Sequence, residues 1–398
     1  MLKKITISQL QIGMYIHALD CHWIDHPFFR SSFVVDDDGS IDKIKEAGLR
    51  QIVIDTGKGN DCAEEASVDE TQAKLEKTYR NGKNIKQIKK ITAADELNNA
   101  RAIYSEATQI IRNIMHEVRL GKQVKLEEIE PVAERIVGSV ARNKDALISL
   151  TRIKNRDEYT FMHCVSVSGL MATFARFLGM SQFDIEQVTM GGLLHDIGKI
   201  LVPDYVLKKP AKLTEDEFDI MRMHVKMGHK VLSATTGITQ QAMDVVLMHH
   251  ERLDGSGYPY GLKGEELSII GRMASIVDVY DALTSVRCYK DAWEPANTLK
   301  HMLEWGGTHF DKELVERFIR CLGIYPVGSV VELTSGLVGI VMEQNEDDLL
   351  RPELRIIYNT RYKKYVQVRN INLKKVPTEE IVQAISPAKY NIDIGVFI

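Results

Sequence analysis

The chain predicts a multidomain protein in which an all-α domain stands between a small N-terminal α/β or mostly β module and a small C-terminal β appendage. Three observations lead there. The opening stretch carries short runs rich in β-branched and aromatic residues, KITISQL, GMYIHAL, SSFVVDD and QIVIDTG, parted by the turn-like DHP, DDDGS and GKG. From about Asp145 to Leu322 one helical pattern follows another, with short polar joints and no lasting strand alternation. After Tyr325-Pro326 the segments GSVVELT, GLVGIVMEQ, LRIIYNT and KKYVQVRNI alternate apolar with polar residues around Gly, Asn and Asp turns.

Residues 1–90 are read as a regulatory module with its linker. Between Gly57 and Lys90 the chain turns first acidic (AEEASVDE) and then basic (NGKNIKQIKK), the composition of a solvated linker or flexible helix. Residues 91–144 are coupling helices. From Ala94 to Leu120 the apolar positions Leu97, Ala100, Ile103, Tyr104, Ala107, Ile110, Ile111, Ile114, Met115 and Val118 recur at threes and fours, and Gly121 ends the run. A second helix is expected after Pro131, with Val132, Ile136, Val137 and Val140 on one face. The pair suits a hairpin packed within the chain, and a homodimer interface is its other candidate use. Residues 145–323 are read as the all-α domain, and 324–398 as the β-rich appendage.

With 398 residues, 44% hydrophobic and 27% charged, the chain can bury two or three real cores. A formal net charge of -4 gives no general attraction for a phosphate backbone, so duplex nucleic acid is not an expected partner. The N-terminus lacks a secretory signal pattern, and no run of about eighteen apolar residues could span a bilayer, so a cytoplasmic protein is expected. The five cysteines contain no CxxC and suit reduced thiols without assigned chemistry.

Seven residues stand out against this background: His163, His195, Asp196, His224, His249, His250 and Asp278. Each lies on a segment that otherwise reads as an apolar helix. Singly, each is best explained as a satisfied core histidine or a capping aspartate. Together, with an HD and an HH doublet among them, they indicate a metal centre. The doublet His195-Asp196 joins an imidazole to a hard carboxylate and can serve two neighbouring first-row metals if the carboxylate bridges them. Lys199 follows one helical turn later, where its ammonium would stand beside bound phosphate. Asp278 in ASIVDVYDALTS would be costly to bury bare. His17, His22, His26, His116, His229, His301 and His309 lack such spacing and are read as surface or packing residues.

HDIGK followed by HHERLDGSGYP resembles the HD-GYP family, the cyclic-dinucleotide phosphodiesterase branch of the HD phosphohydrolases. The resemblance covers roughly Asp145 to Leu322. GMYIHALDCHWIDHPFF resembles a domain of unknown function often found ahead of this catalytic domain. The resemblance implies an HD-type helical fold and assigns His163, His195, Asp196 and Asp278 to one metal. Asp196 then bridges to a second metal held by His224, His249 and His250. It places Lys199, Arg287, Lys290 and the loop Gly257-Tyr258-Pro259 against substrate, and that loop is also where a signalling protein could dock. Tyr159 stands where some members carry a Glu that supports a third metal, so two metals are expected. Val286 and Cys288 depart from the usual flanks of the arginine.

The function implied is hydrolysis of a bacterial cyclic dinucleotide, cyclic di-GMP by default, to a linear dinucleotide, with further hydrolysis to mononucleotides left open. Iron or manganese suits the mixed imidazole and carboxylate donors. Two cations sharing Asp196 would activate water for in-line attack, with Lys199, Arg287 and Lys290 neutralising the phosphate, and the sequence does not identify the acid that protonates the leaving oxygen. Three alternatives stay open. One is a 3′,3′-cyclic GMP-AMP phosphodiesterase. Another is a catalytically silent receptor. The third, a nucleotide or alarmone hydrolase of the wider HD superfamily, is opposed by HHERLDGSGYP.

Overall fold

A computed structural model of the chain describes residues 2–6, 10–19, 33–35, 37, 39, 41, 51–60, 89–152, 158–285 and 292–397. The chain divides into two compact units, Met1–Gln87 and Ile88–Ile398.

In the first unit, β1 (Leu2–Thr6), β2 (Tyr15–Leu19), β3 (Phe33–Val34) and β4 (Gln51–Asp55) form an antiparallel sheet of order β1-β4-β2-β3. The side chains of β4 alternate as its sequence demands. Ile52 and Ile54 turn inward to join Ile5, Met14, Ile16 and Val35, and Val53 between them is only half-buried.

The second unit opens with α1 (Ala93–Arg119). Thr92 caps it by accepting from the Asp95 amide, and Gly121 ends it in the left-handed region at φ +80°, where glycine alone is free of Cβ strain. Its stripe of Ala100, Ile103, Ala107, Ile111, Ile114 and Val118 is buried within the same chain. The next helix, α2 (Leu126–Leu150), starts five residues before Pro131 rather than after it. Leu126 and Ile129 extend the buried face across the proline, and burying two large aliphatic side chains at roughly 1.5–3 kcal/mol each outweighs one lost backbone hydrogen bond. Buried Glu96 ties the helices together, accepting from Arg142 Nε at 2.7 Å and from Ser139 Oγ at 2.8 Å.

The path of α2 breaks at Asn143, whose backbone is extended (φ -162°, ψ 110°). Its side chain fills the gap, donating to Ile91 O at 2.9 Å and Glu343 Oε1 at 2.7 Å and accepting from the Asp145 amide at 2.9 Å. Beyond it come α3 (Tyr159–Phe177), α4 (Gln182–Leu194), a 3-10 turn (Ile197–Leu201), α5 (Asp204–Leu207), α6 (Glu215–Ser233), α7 (Gln240–Met248), α8 (Ile269–Thr284), α9 (Pro295–Glu304) and α10 (Lys312–Leu322). Thr214 and Glu217 close a capping box at the start of α6. One apolar core runs from α1 through α10. The coupling helices are thus built into the body that carries the candidate site.

The C-terminal strands β5 (Val330–Leu333), β6 (Leu337–Glu343), β7 (Glu353–Asn359), β8 (Lys364–Asn372) and β9 (Ile381–Ala384) form an antiparallel sheet of order β8-β7-β6-β5-β9. One face sends Val331, Val341, Leu354 and Ile356 into the helical core, and the other packs Val330, Val338, Ile340 and Ile357 with Ile385 and Ile392. Among the described residues, no helix is long and apolar enough to cross a membrane.

Candidate metal centre

Six elements deliver the seven singled-out residues to one place. His163 rides on α3, His195 caps the C-terminus of α4, and Asp196 opens the 3-10 turn. His224 lies in α6, His249 and His250 follow α7, and Asp278 lies in α8. A glycine sets the closest approach. A Cβ on Gly198 would stand 1.9 Å from the His224 carbonyl oxygen, so only glycine lets the turn of HDIGK press against α6 and put Asp196 beside His224.

The ligand atoms fall into two groups that share one residue. His163, His195 and Asp196 form the first, and Asp196, His224, His249 and His250 the second, with the atoms of each group within 4.8 Å of one another. Asp196 Oδ1 lies 3.4 Å from His224 Nε2 and 3.8 Å from His249 Nε2. Its Oδ2 lies 3.3 Å from His195 Nε2, 3.7 Å from His163 Nε2 and 2.6 Å from Lys199 Nζ. Two donors about 2.1 Å from a common ion, at angles of roughly 90–110°, stand about 3.0–3.4 Å apart, and these separations are close to that span. Asp278 lies between the groups, with Oδ1 2.9 Å from His163 Nε2 and Oδ2 3.4 Å from His250 Nδ1.

Hydrogen bonding fixes which nitrogen faces inward. Nδ1 of His195 donates to Gly192 O at 2.8 Å, Nδ1 of His224 to Met221 O at 2.7 Å, and Nδ1 of His249 to Val246 O at 2.9 Å. His163 donates Nδ1–H to Asp281 Oδ2 at 2.6 Å. As neutral rings, these four therefore present the Nε2 lone pair to the cluster. Lone pairs so arranged repel. His224 Nε2 and His249 Nε2 meet at 3.4 Å, and His163 Nε2 faces a carboxylate oxygen. His195 Nε2 and Asp196 Oδ1 are buried with no hydrogen-bond partner among the described residues. A cation resolves each of these conflicts, so the residues fit a metal site.

Four of the ligands are held in the metal-binding state, whereas at His195 burial is outweighed by Asp196 and Asp278, which raise the imidazole above its usual value where no cation balances them. Burial pushes the Asp196 carboxyl up, but Lys199 and His195 outweigh it and hold the group well below the usual range. Asp278 is likewise held well below it, burial being outweighed by the His163 hydrogen bond and by His250. Burial, with His195 beside it, lowers His249 to about 3, and burial with His249 beside it lowers His250 well below the usual imidazole value. Both aspartates are anionic and these two imidazoles neutral near pH 7, the states in which they bind metal.

The loop Gly257-Tyr258-Pro259 adjoins the cluster, the Tyr258 ring lying 4.7 Å from that of His250. A Cβ on Gly257 would lie 2.4 Å from the Arg252 amide nitrogen, so the tight turn requires glycine. Arg287 and Lys290 lie outside the described residues. His116, His229, His301 and His309 belong to neither group.

Two buried residues escaped the sequence reading. Asp281 orients His163, and its signal was its place three residues after Asp278, on the same side of α8. Glu251 anchors the loop: Oε1 accepts from the amides of Tyr260 at 2.7 Å and Gly261 at 3.2 Å, and Oε2 from that of Leu262 at 3.1 Å. Its position directly after the paired histidines carried no periodic signal.

Comparison with known proteins adds three family matches: a domain of unknown function (DUF3391) over residues 2–129, an HD domain over 134–314, and a KOW domain associated with HD domain over 330–392. The chain is 37% identical over 390 residues to a cyclic di-GMP phosphodiesterase of Pseudomonas aeruginosa, covering 98% of this chain and 93% of that protein. It is 39% identical over 181 residues to a cyclic di-GMP phosphodiesterase response regulator of Xanthomonas campestris, covering 45% and 48%. A 3′3′-cGAMP-specific phosphodiesterase of Vibrio cholerae is 35% identical over 165 residues, covering 41% and 32%.

Proposed function

The chain belongs to the HD-GYP family of metal-dependent HD-domain phosphodiesterases, and from that premise we propose that it opens cyclic di-GMP to the linear dinucleotide at a centre of two divalent ions. The observation that carries this reading is the division of Asp196: one oxygen faces His224 and His249, the other His195 and His163. His163 and His195, with Asp278, would hold one ion, and His224, His249 and His250 the other, Asp196 bridging. Imidazole and carboxylate together suit iron or manganese. When bound, such ions supply a nucleophilic water at neutral pH and Lewis-acid neutralisation of a phosphodiester.

The remaining chemistry belongs to the side chains. Lys199, 2.6 Å from the bridging carboxylate and largely buried, fixes a positive charge where phosphate charge builds in the transition state. Asp281 holds His163 in the tautomer that presents Nε2. Tyr258 packs on His250 and walls the cluster beside the loop that Glu251 secures. The relatives named above support cyclic di-GMP as substrate. The Vibrio cholerae relative supports 3′,3′-cyclic GMP-AMP as a second reading.

The test is product chromatography of the purified, manganese- or iron-loaded protein given each compound separately. Linear guanine dinucleotide from cyclic di-GMP, formed faster than the cyclic GMP-AMP product, supports the proposal. A metal-replete protein that forms no product from either compound refutes it.

A further inference from the structure

Helix α6 brings more than His224 to the centre. Its exposed residues Phe218 and Arg222, one turn apart, reach the loop that holds Tyr258. The Arg222 guanidinium lies 4.5 Å from the Phe218 ring centre and 5.6 Å from that of Tyr258. Phe218 and Tyr258 meet edge to face at 6.2 Å, and Tyr258 in turn packs on His250. A ledge of one cation and two aromatic rings thus leads from solvent to the metal cluster.

The ledge is open to solvent. Phe218 stays 40% exposed and the Arg222 side chain 47% exposed. Among the described residues the only ion pair of Arg222 is to Asp219, 3.2 Å from Nη1, which leaves most of the guanidinium's donors to act elsewhere. Aromatic and guanidinium planes stack on nucleobases whatever their identity. A guanidinium edge is selective: guanine offers two acceptors, O6 and N7, whereas adenine offers N7 beside an N6 donor.

We propose that Tyr258 stacks a base of the bound cyclic dinucleotide, that Phe218, set edge to face with that ring, packs against the rim of the base, and that Arg222 reads the base as guanine through O6 and N7. The proposal rests on the cyclic-dinucleotide reading above and adds the residue that selects among such substrates. Guanine-containing compounds are preferred over cyclic di-AMP because only guanine satisfies both donors.

The test compares the full-length metal-loaded protein with Arg222→Met and Phe218→Ala, measuring bound metal, kcat, KM and equilibrium binding for cyclic di-GMP and cyclic di-AMP. Arg222→Met is expected to raise KM and Kd for cyclic di-GMP roughly ten- to hundred-fold, leaving metal content and the weak binding of cyclic di-AMP unchanged. Phe218→Ala is expected to weaken both compounds alike. Wild-type preference for guanine that survives Arg222→Met overturns this inference and leaves the parent reading intact. Absence of binding and turnover in the wild-type protein overturns both.

Discussion

His163 Nδ1 stands 2.6 Å from Asp281 Oδ2, and both side chains are buried, so a carboxylate outside the ligand groups decides which nitrogen the ring turns inward. Replacement by Asp281→Asn keeps the shape and removes the charge. Metal affinity is expected to fall roughly 10- to 100-fold, with kcat/KM falling in parallel at fixed metal. Metal titration of the variant checks this, and unchanged affinity would show that Asp281 does not orient the ligand.

Lys199 separates charge neutralisation from metal retention. Lys199→Ala is expected to lower kcat by roughly 100-fold, the scale of losing one transition-state donor, while both ions stay bound. Metal analysis beside steady-state kinetics checks it. Loss of metal in the variant would instead give Lys199 the role of holding Asp196 in place.

Glu251 holds three backbone amides of the loop after Tyr258. Glu251→Ala leaves them without their acceptor and is expected to destabilise the protein by roughly 1–3 kcal/mol, with a rise in KM as the wall of the site loosens. Denaturant midpoints and KM for cyclic di-GMP check both halves.

An acid-sensitive contact lies away from the centre. Burial raises the Glu96 carboxyl, but Arg142, Asn99 and Ser139 outweigh it and leave the group below its ordinary value of about 4.3. A lowered folded-state pKa means the pair contributes in full above that value and its contribution is lost as pH falls through the lower one. Glu96→Gln should therefore cost stability at pH 7 and show a shallower loss of stability below pH about 4.3 than the wild type. Denaturant unfolding across that range measures the slope, and parallel profiles would contradict it.

Removal of the first unit should leave the rest folded. Residues 88–398 keep α1, whose Ile103, Ala107, Ile111 and Ile114 sit in the common core. A chain starting at Ile88 is expected to unfold cooperatively and retain metal, whereas one starting at Lys122 should not, because the core loses one wall. Circular dichroism melts of both truncations check this.

Much of this was legible beforehand, and for identifiable reasons. The spacing of Ile103, Ala107, Ile111 and Ile114 shows α1 because an apolar recurrence at threes and fours places one stripe along a helix of 3.6 residues per turn. The seven polar residues on apolar helices were visible because burial of so many has to be compensated. The start of α2 was misplaced at Pro131, since local propensity knows nothing of the neighbours that bury Leu126 and Ile129. Glu251 and the Phe218–Arg222–Tyr258 ledge depend on loop geometry, which leaves no periodic trace.

The claim on which the rest depends is that Asp196 bridges two ions. Titration of metal-free protein with manganese, followed by electron paramagnetic resonance, tests it most directly. Two equivalents per chain with a spin-coupled signal is the predicted result, collapsing to isolated-ion spectra in Asp196→Asn. A single equivalent, or two ions without coupling in the wild type, would contradict the account.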